Sequence, residues 1–218
     1  VIADAVTVEV LLADRRQFKG RVVGTDPKSD VAVVKIEANG LPVVPWGNSS
    51  QLAVGDFVLA IGNPLGLNQT VTFGIVSAVG RADIGIADYE DFIQTDAPIN
   101  PGSSGGAMVN VKGELVGINT AIASPTGGSI GVGFAIPSNM VKAAMQSLLK
   151  SGRVIRGYLG ASTQDVTPPL SRLFKLPDVK GVIITDVLSK GPAEAAGLRR
   201  GDVVVRFDDK VVVDSGGL

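Results

Sequence analysis

Across residues 1–136 the chain carries no convincing helical period. Apolar residues recur at every second position, and glycine-rich turns cut them into short runs. Val6, Val8, Val10 and Leu12 alternate with Thr7, Glu9 and Leu11 in strand rhythm from the start. Further strands are predicted at 18–25, 31–36, 57–61, 70–79, 107–109, 114–122 and 130–136, with 31–36 dense enough in Val and Ile to be buried on both faces. The clusters Gly62-Asn63-Pro64-Leu65-Gly66 and Pro125-Thr126-Gly127-Gly128 are turn chemistry. Short strands at this spacing, with no helix between them, predict a barrel or sandwich. Glycine fits that class: 28 of 218 residues, roughly 13% against an average near 7%, with no low-complexity run.

The first helix opens at Pro137-Ser138. Ser138 is its predicted N-cap, and Met140, Val141, Ala144, Met145, Leu148 and Leu149 form one apolar stripe. Gly152 ends it after Lys150. A helix that closes a β-domain places a boundary near 150–155, giving a first domain at 1–150 and a second at 151–218. The second reads as strand (181–187), short helix (192–196), turn (197–202) and strand (203–207). About 65 residues are marginal for an independent core, and the turn residues Ser215-Gly216-Gly217-Leu218 promise another element.

Composition removes several classes of function. Lys plus Arg is 20 and Asp plus Glu 21, a net charge of −1, which lacks the basic footprint of a nucleic-acid binder. There is no cysteine, so disulfides, thiolate zinc sites and thiol catalysis are excluded. There is no histidine, so His-based metal sites are excluded too, and the chain as written holds no complete Ser-His-Asp triad. No metal or cofactor is expected. No stretch reaches about 18 uninterrupted apolar residues, as a membrane-spanning helix needs. The chain opens at Val1 with neither Met nor a basic run, so no signal peptide is read in it.

The sharpest chemical signal is Asn100-Pro101-Gly102-Ser103-Ser104-Gly105-Gly106. A serine nucleophile needs an exposed, tight turn whose amides converge on a developing oxyanion. Gly102 lets the backbone turn an N–H inward, and Gly105 and Gly106 permit close approach of neighbouring backbone. In a G-x-S-G-G string the nucleophile is the middle position, Ser104, with Ser103 as x. The same string also reads as a Gly/Ser hairpin turn or an anion nest. No lysine follows at P-loop spacing.

Several longer motifs stand around that turn in a fixed order. They are Ser29-Asp30-Val31-Ala32-Val33-Val34-Lys35-Ile36, Ala60-Ile61-Gly62-Asn63-Pro64-Leu65-Gly66-Leu67, Thr72-Phe73-Gly74-Ile75-Val76-Ser77, residues 94–106, Gly117-Ile118-Asn119-Thr120, and Gly133-Phe134-Ala135-Ile136-Pro137-Ser138. Through them the chain resembles the HtrA (Deg) family of trypsin-fold serine proteases over essentially its whole length. The resemblance implies a mostly β, two-barrel trypsin-like fold with the active site between the barrels, followed by a partial PDZ domain of α+β type. It makes Ser104 the nucleophile and Asp30 the triad aspartate, and it draws the oxyanion hole from Gly102, Ser103 and Ser104. It places the triad histidine immediately before Val1, so the chain is expected to be a fragment truncated at both ends.

Further expectations rest on the same resemblance. Ser103 stands where the family usually has Asn, and neither residue can pair with a newly cut N-terminus, so cleavage-driven activation is not expected. Segment 81–92 resembles the family's activation loop. Ile99, Ile122 and Val132 line an apolar S1 pocket suited to Val or Ala; the same residues also read as core packing. Arg156-Gly157-Tyr158-Leu159-Gly160 resembles a PDZ carboxylate-binding loop, with Tyr158, Leu159 and Gly160 capturing peptide C-termini. The implied function is a serine endoprotease degrading unfolded or misfolded polypeptides in envelope protein quality control. It would be periplasmic and homotrimeric, with a membrane tether upstream of Val1 left open. The alternative is a non-catalytic, chaperone-like peptide binder on the same fold.

Overall fold

The computed structural model describes residues 2, 5, 7–64 and 69–215, without the side chain of Lys210. Val6 in the first predicted strand, Leu65 to Leu67 in the turn and motif after Pro64, and the tail Gly216-Gly217-Leu218 lie outside the described residues. The chain divides into two compact units, Val1–Ile155 and Arg156–Leu218.

The first unit begins with a three-stranded antiparallel sheet: β1 (Val8–Leu11), β2 (Gln17–Asp26) and β3 (Val31–Lys35), in the order β1-β2-β3. A barrel follows from β4 (Phe57–Gly62), β5 (Thr70–Arg81), β6 (Phe92–Thr95), β7 (Ala107–Asn110), β8 (Leu115–Ile122) and β9 (Gly133–Pro137). It closes in the order β4-β5-β6-β9-β8-β7, with β7 pairing back onto β4. Closure removes the edges an open antiparallel sheet would leave. The period-two alternation puts one side chain per strand into the interior. Val58, Val76, Ile93, Met108, Val116 and Ala135 form that belt, all buried. Each fully buried larger apolar side chain contributes about 1.5–3 kcal/mol.

A second cluster lies on the outside of the barrel. Phe92, Phe134 and Ile136 pack there with Val31 of β3 and with Val141 and Ala144 of α1 (Ser138–Ser151). The helix thus ties the three-stranded sheet to the barrel. Gly152, at φ 69°, ends it by donating to the Leu148 carbonyl at 2.8 Å.

Three local expectations are corrected. Segment 31–36 is not buried on both faces: Val31 is buried against Phe92, Phe134 and α1, whereas Ala32 and Lys35 are exposed. Ser138 is not the N-cap; Pro137 holds that position, and the Ser138 hydroxyl donates instead to Gly47 O at 3.0 Å. Leu149 leaves the apolar stripe and is 58% exposed, since only Val141, Ala144 and Leu148 share the fully packed face.

The second unit has a three-stranded sheet of β10 (Ala161–Asp165), β11 (Val182–Val187) and β12 (Val203–Val204), with α2 (Pro168–Phe174) and α3 (Pro192–Ala195). A small hairpin, β13 (Arg206–Phe207) and β14 (Lys210–Val211), follows. Strand β6, helix α2 and strand β14 have no counterpart in the sequence reading.

Candidate active site

The turn after Asn100 is closed by the Ser103 N–H, which donates to Asn100 O at 2.8 Å. Pro101 and Gly102 are its corners. Gly102 sits at φ 97°, the left-handed region that the third residue of a type II turn requires and that glycine enters without strain. The two adjacent serines then part. Ser103 is 6% exposed and pressed beneath β4, so close that a Cβ on Gly62 would lie 2.7 Å from Ser103 Cα. Ser104 instead lines a cavity of about 450 Å³. The amides of Gly102 and Ser104 have no hydrogen-bond acceptor among the described residues, whereas that of Ser103 is taken by Asn100. Of the three residues expected to form an oxyanion hole, two keep their donors available.

Asp30 lines the same cavity. It ends a single 3-10 turn over Pro27–Ser29 at φ 54°, its N–H donating to Pro27 O at 3.3 Å. Beneath it the Ser29 hydroxyl donates to the Asp26 carboxylate, and both side chains are buried. This network fixes the turn from which the Asp30 carboxylate projects.

Thr120 joins the two, and sequence reasoning gave it no role. Its hydroxyl donates to Asp30 Oδ2 at 2.6 Å, and its carbonyl accepts from the Ser104 hydroxyl at 2.8 Å. On β8, Asn119 pairs with Ala135 but Ala121 pairs with Phe134, so Thr120 is the unpaired residue of a β-bulge. The bulge takes Thr120 out of the ladder, where its hydroxyl meets Asp30 and its carbonyl meets Ser104. The one sequence signal was the polar pair Asn119-Thr120 inside an otherwise apolar strand with a single glycine. Among the described residues no group of His, Cys, Asp and Glu comes together that could hold a metal ion.

The three expected pocket residues fall in two neighbouring packing clusters. Ile99 is 1% exposed and packs with Ala60 and Ala97, with Ile122 against them. Val132 packs against the Phe92/Phe134 cluster, and its carbonyl accepts from Ala123 N–H at 3.1 Å. Gly133, the residue after it, pairs with Ile122 and lies against Ile99.

In the second unit the Leu159 carbonyl accepts from Ala193 N–H and the Gly160 carbonyl from Leu188 N–H, each at 2.9 Å. With both carbonyls engaged, the amides of Tyr158, Leu159 and Gly160 have no acceptor among the described residues. They lie at the entry to β10, an edge strand.

Comparison with known proteins bears on both units. The profile of the trypsin-like peptidase domain family matches residues 1–118, and that of the PDZ domain matches 157–218. The chain belongs to the HtrA family of trypsin-like serine proteases. Among its HtrA relatives, a probable periplasmic serine endoprotease DegP-like of Chlamydia trachomatis serovar D is 50% identical over 212 residues, 97% of this chain and 43% of that protein. The periplasmic serine endoprotease DegP of Escherichia coli K12 is 46% identical over 213 residues, 97% of this chain and 45% of its own length. The chain therefore spans less than half the length of these relatives. Among solved structures, the HtrA-type protease AlgW with tripeptide is 47% identical with a TM-score of 0.85, covering 99% of this chain and 71% of that one.

In this HtrA-family chain the segment 81–92 is built around one carboxylate. Glu90 accepts the amides of Ile84 at 2.6 Å, Ile86 at 2.5 Å and Ala87 at 3.0 Å. Burial alone would push its carboxyl up, but the amides of Ala87, Ile84 and Ile86 outweigh that and hold it below the ordinary glutamate range. Ile86 and Ala87 pack against the Phe92/Phe134 cluster. The Tyr89 N–H donates to Lys28 O at 2.9 Å, which joins this loop to the turn that presents Asp30.

Proposed function

We propose that this chain is the catalytic cleft and a peptide-binding module of a periplasmic HtrA endoprotease that cuts unfolded polypeptides. The observation that carries the reading is Ser104 and Asp30 on one cavity, bridged by Thr120. Ser104 Oγ attacks the scissile carbonyl. A histidine from polypeptide preceding Val1 accepts its proton and later hands it to the leaving amine. Asp30 orients that imidazole, and the Thr120 hydroxyl holds the carboxylate in place. The free amides of Gly102 and Ser104 receive the oxyanion.

Ile99 and Ile122 form the apolar wall of the S1 pocket. Peptides with Val or Ala before the scissile bond are cut ahead of those with Lys or Arg, because a cation there would be buried without a partner. In a peptide library, a basic preference refutes this wall. The amides of Tyr158, Leu159 and Gly160 take a peptide C-terminus, and the peptide adds as a strand along β10. The working assembly is a homotrimer, in keeping with the exposed apolar face of β4 and β5. There Phe57 and Phe73 are 56% and 59% exposed, with ring centroids 5.3 Å apart.

The test uses the full-length protein and unfolded casein. Ser104→Ala abolishes hydrolysis, while Ser103→Ala, altering a side chain tucked under Gly62, leaves a measurable rate. Equal loss from both, or a rate that survives Ser104→Ala, overturns the assignment. A full-length protein that captures unfolded peptide without cutting it supports the non-catalytic alternative.

A further inference from the structure

Thr120 is absorbed by the site, but its neighbour Asn119 is not, and it is the more unusual residue. It is 1% exposed, in the middle of β8. Its main chain holds both glycines that follow the nucleophile: Asn119 O accepts from Gly105 N–H at 2.8 Å, and Asn119 N–H donates to Gly106 O at 2.9 Å. Its side-chain Nδ2 donates to Ile61 O at 3.0 Å and lies 3.5 Å from Ala107 O. Both of those groups are carbonyls, so the amide has only one satisfying orientation. That orientation leaves Oδ1 as a buried atom with no hydrogen-bond partner.

A buried polar atom without a partner costs stability, and an apolar side chain of similar size would avoid that cost. What the amide secures is the Ile61 carbonyl. Gly106 is packed against that carbonyl so tightly that a Cβ there would lie 2.0 Å from Ile61 O. The next residue, Gly62, is the one pressed on Ser103. The end of β4 is therefore the anvil for both flanks of Ser104, and Asn119 supplies the side-chain bond that holds it to β8.

We infer that Asn119 is a positioning residue for the nucleophile: by gripping the Ile61 carbonyl through Nδ2 it sets where the Ser104 hydroxyl lies. This rests on the reading of Ser104 as nucleophile. Asn119→Leu removes one unpaired buried acceptor, Oδ1, and creates another, Ile61 O, so the two stability effects offset and the melting temperature stays within about 4 °C. The position of the turn is lost. In the full-length protein kcat falls about 10- to 100-fold, as small misplacements of reacting groups do, with KM within about twofold. In this 218-residue chain, the amides of Gly105 and Gly106 exchange about tenfold faster while the Val58/Met108 belt keeps its protection. Asn119→Ser, too short to reach Ile61, behaves the same way and serves if the leucine variant does not fold. Leu148→Ala in α1 is the control that lowers stability without touching the turn. Unchanged exchange at Gly105 and Gly106 overturns the inference, as does a kcat within twofold of wild type. A kcat loss no greater than that of the control at matched melting temperature also overturns it. If wild type does not hydrolyse casein, or Ser104→Ala still does, the protease reading fails instead, and the exchange measurement decides the role of Asn119 by itself.

Discussion

The turn at 100–106 and the loop at 84–90 belong to the same unit, and both are short and contain glycine, yet they are held by opposite means. The first is pinned by backbone against backbone: Ser103 under Gly62, Gly106 against Ile61, and Gly105 and Gly106 bonded to β8. No ionisable group takes part. The second gathers three of its amides on a single carboxylate, Glu90. Steric contact cannot be titrated, whereas a carboxylate can. The contacts that pin the first segment carry no charge to titrate, whereas those of the second weaken when Glu90 is protonated.

The largest effect expected from this contrast is that of Gly106→Ala. Its Cβ would sit 2.0 Å from a strand carbonyl, which cannot swing away as a flexible side chain would. The cost is on the order of 3 kcal/mol, with loss of hydrolysis. Thermal unfolding checks it, and a variant as stable as wild type would show that the end of β4 yields.

Glu90→Gln comes next. It keeps the shape but weakens all three bonds by removing the charge, so exchange at Ile84, Ile86 and Ala87 quickens while Gly105 and Gly106 are unchanged. The pH dependence carries the same sign. A carboxyl held below its ordinary range stabilises the loop fully above that range, and the contribution is lost as pH falls through the lowered value. Loop exchange should thus stay flat from neutral pH down through the ordinary glutamate range and accelerate only below it, and the Gln variant should lack the step. A step at neutral pH would assign the control to another group.

The smallest effect is that of Lys28→Ala. Lys28 Nζ lies 3.7 Å from an Asp88 oxygen, with both side chains more than half exposed, and 6.0 Å from the Tyr89 ring centroid, and exposed contacts of these kinds contribute at most about 1 kcal/mol each. The link from the loop to the Asp30 turn runs instead through the Tyr89 amide and the Lys28 carbonyl, which this substitution leaves in place. A large loosening of the loop in Lys28→Ala would move the coupling from backbone to side chain.

Features that repeat with a short period were legible in the sequence. The strands of the barrel show as alternation because each contributes one side chain to the interior belt, and the turn at 100–106 shows because only glycine serves where Gly102 and Gly106 lie. Features that rest on exceptions to a period were not. Thr120 acts because it falls out of register, and a bulge carries no mark in the strand that contains it. Strand β6 is four residues long, Phe92–Thr95, between polar segments, too short for alternation to register. Ser138 looked like a cap because serine usually is one there, but a carbonyl from residue 47 competes for its hydroxyl. The nest around Glu90 joins residues three to six apart, with no hydrophobic pattern to betray it.

The bulge at Thr120 also makes β8 sensitive to length in a way no substitution would reveal. With one residue fewer there, the ladder between β8 and β9 would run without interruption, and the barrel would gain regular pairing. Thr120 would then be either the residue lost or one turned back into line with the strand, and in both cases Asp30 loses its hydroxyl and Ser104 its carbonyl. Shortening this strand by a single residue would mend the sheet and dismantle the cleft, so the chain's length here is itself part of the site.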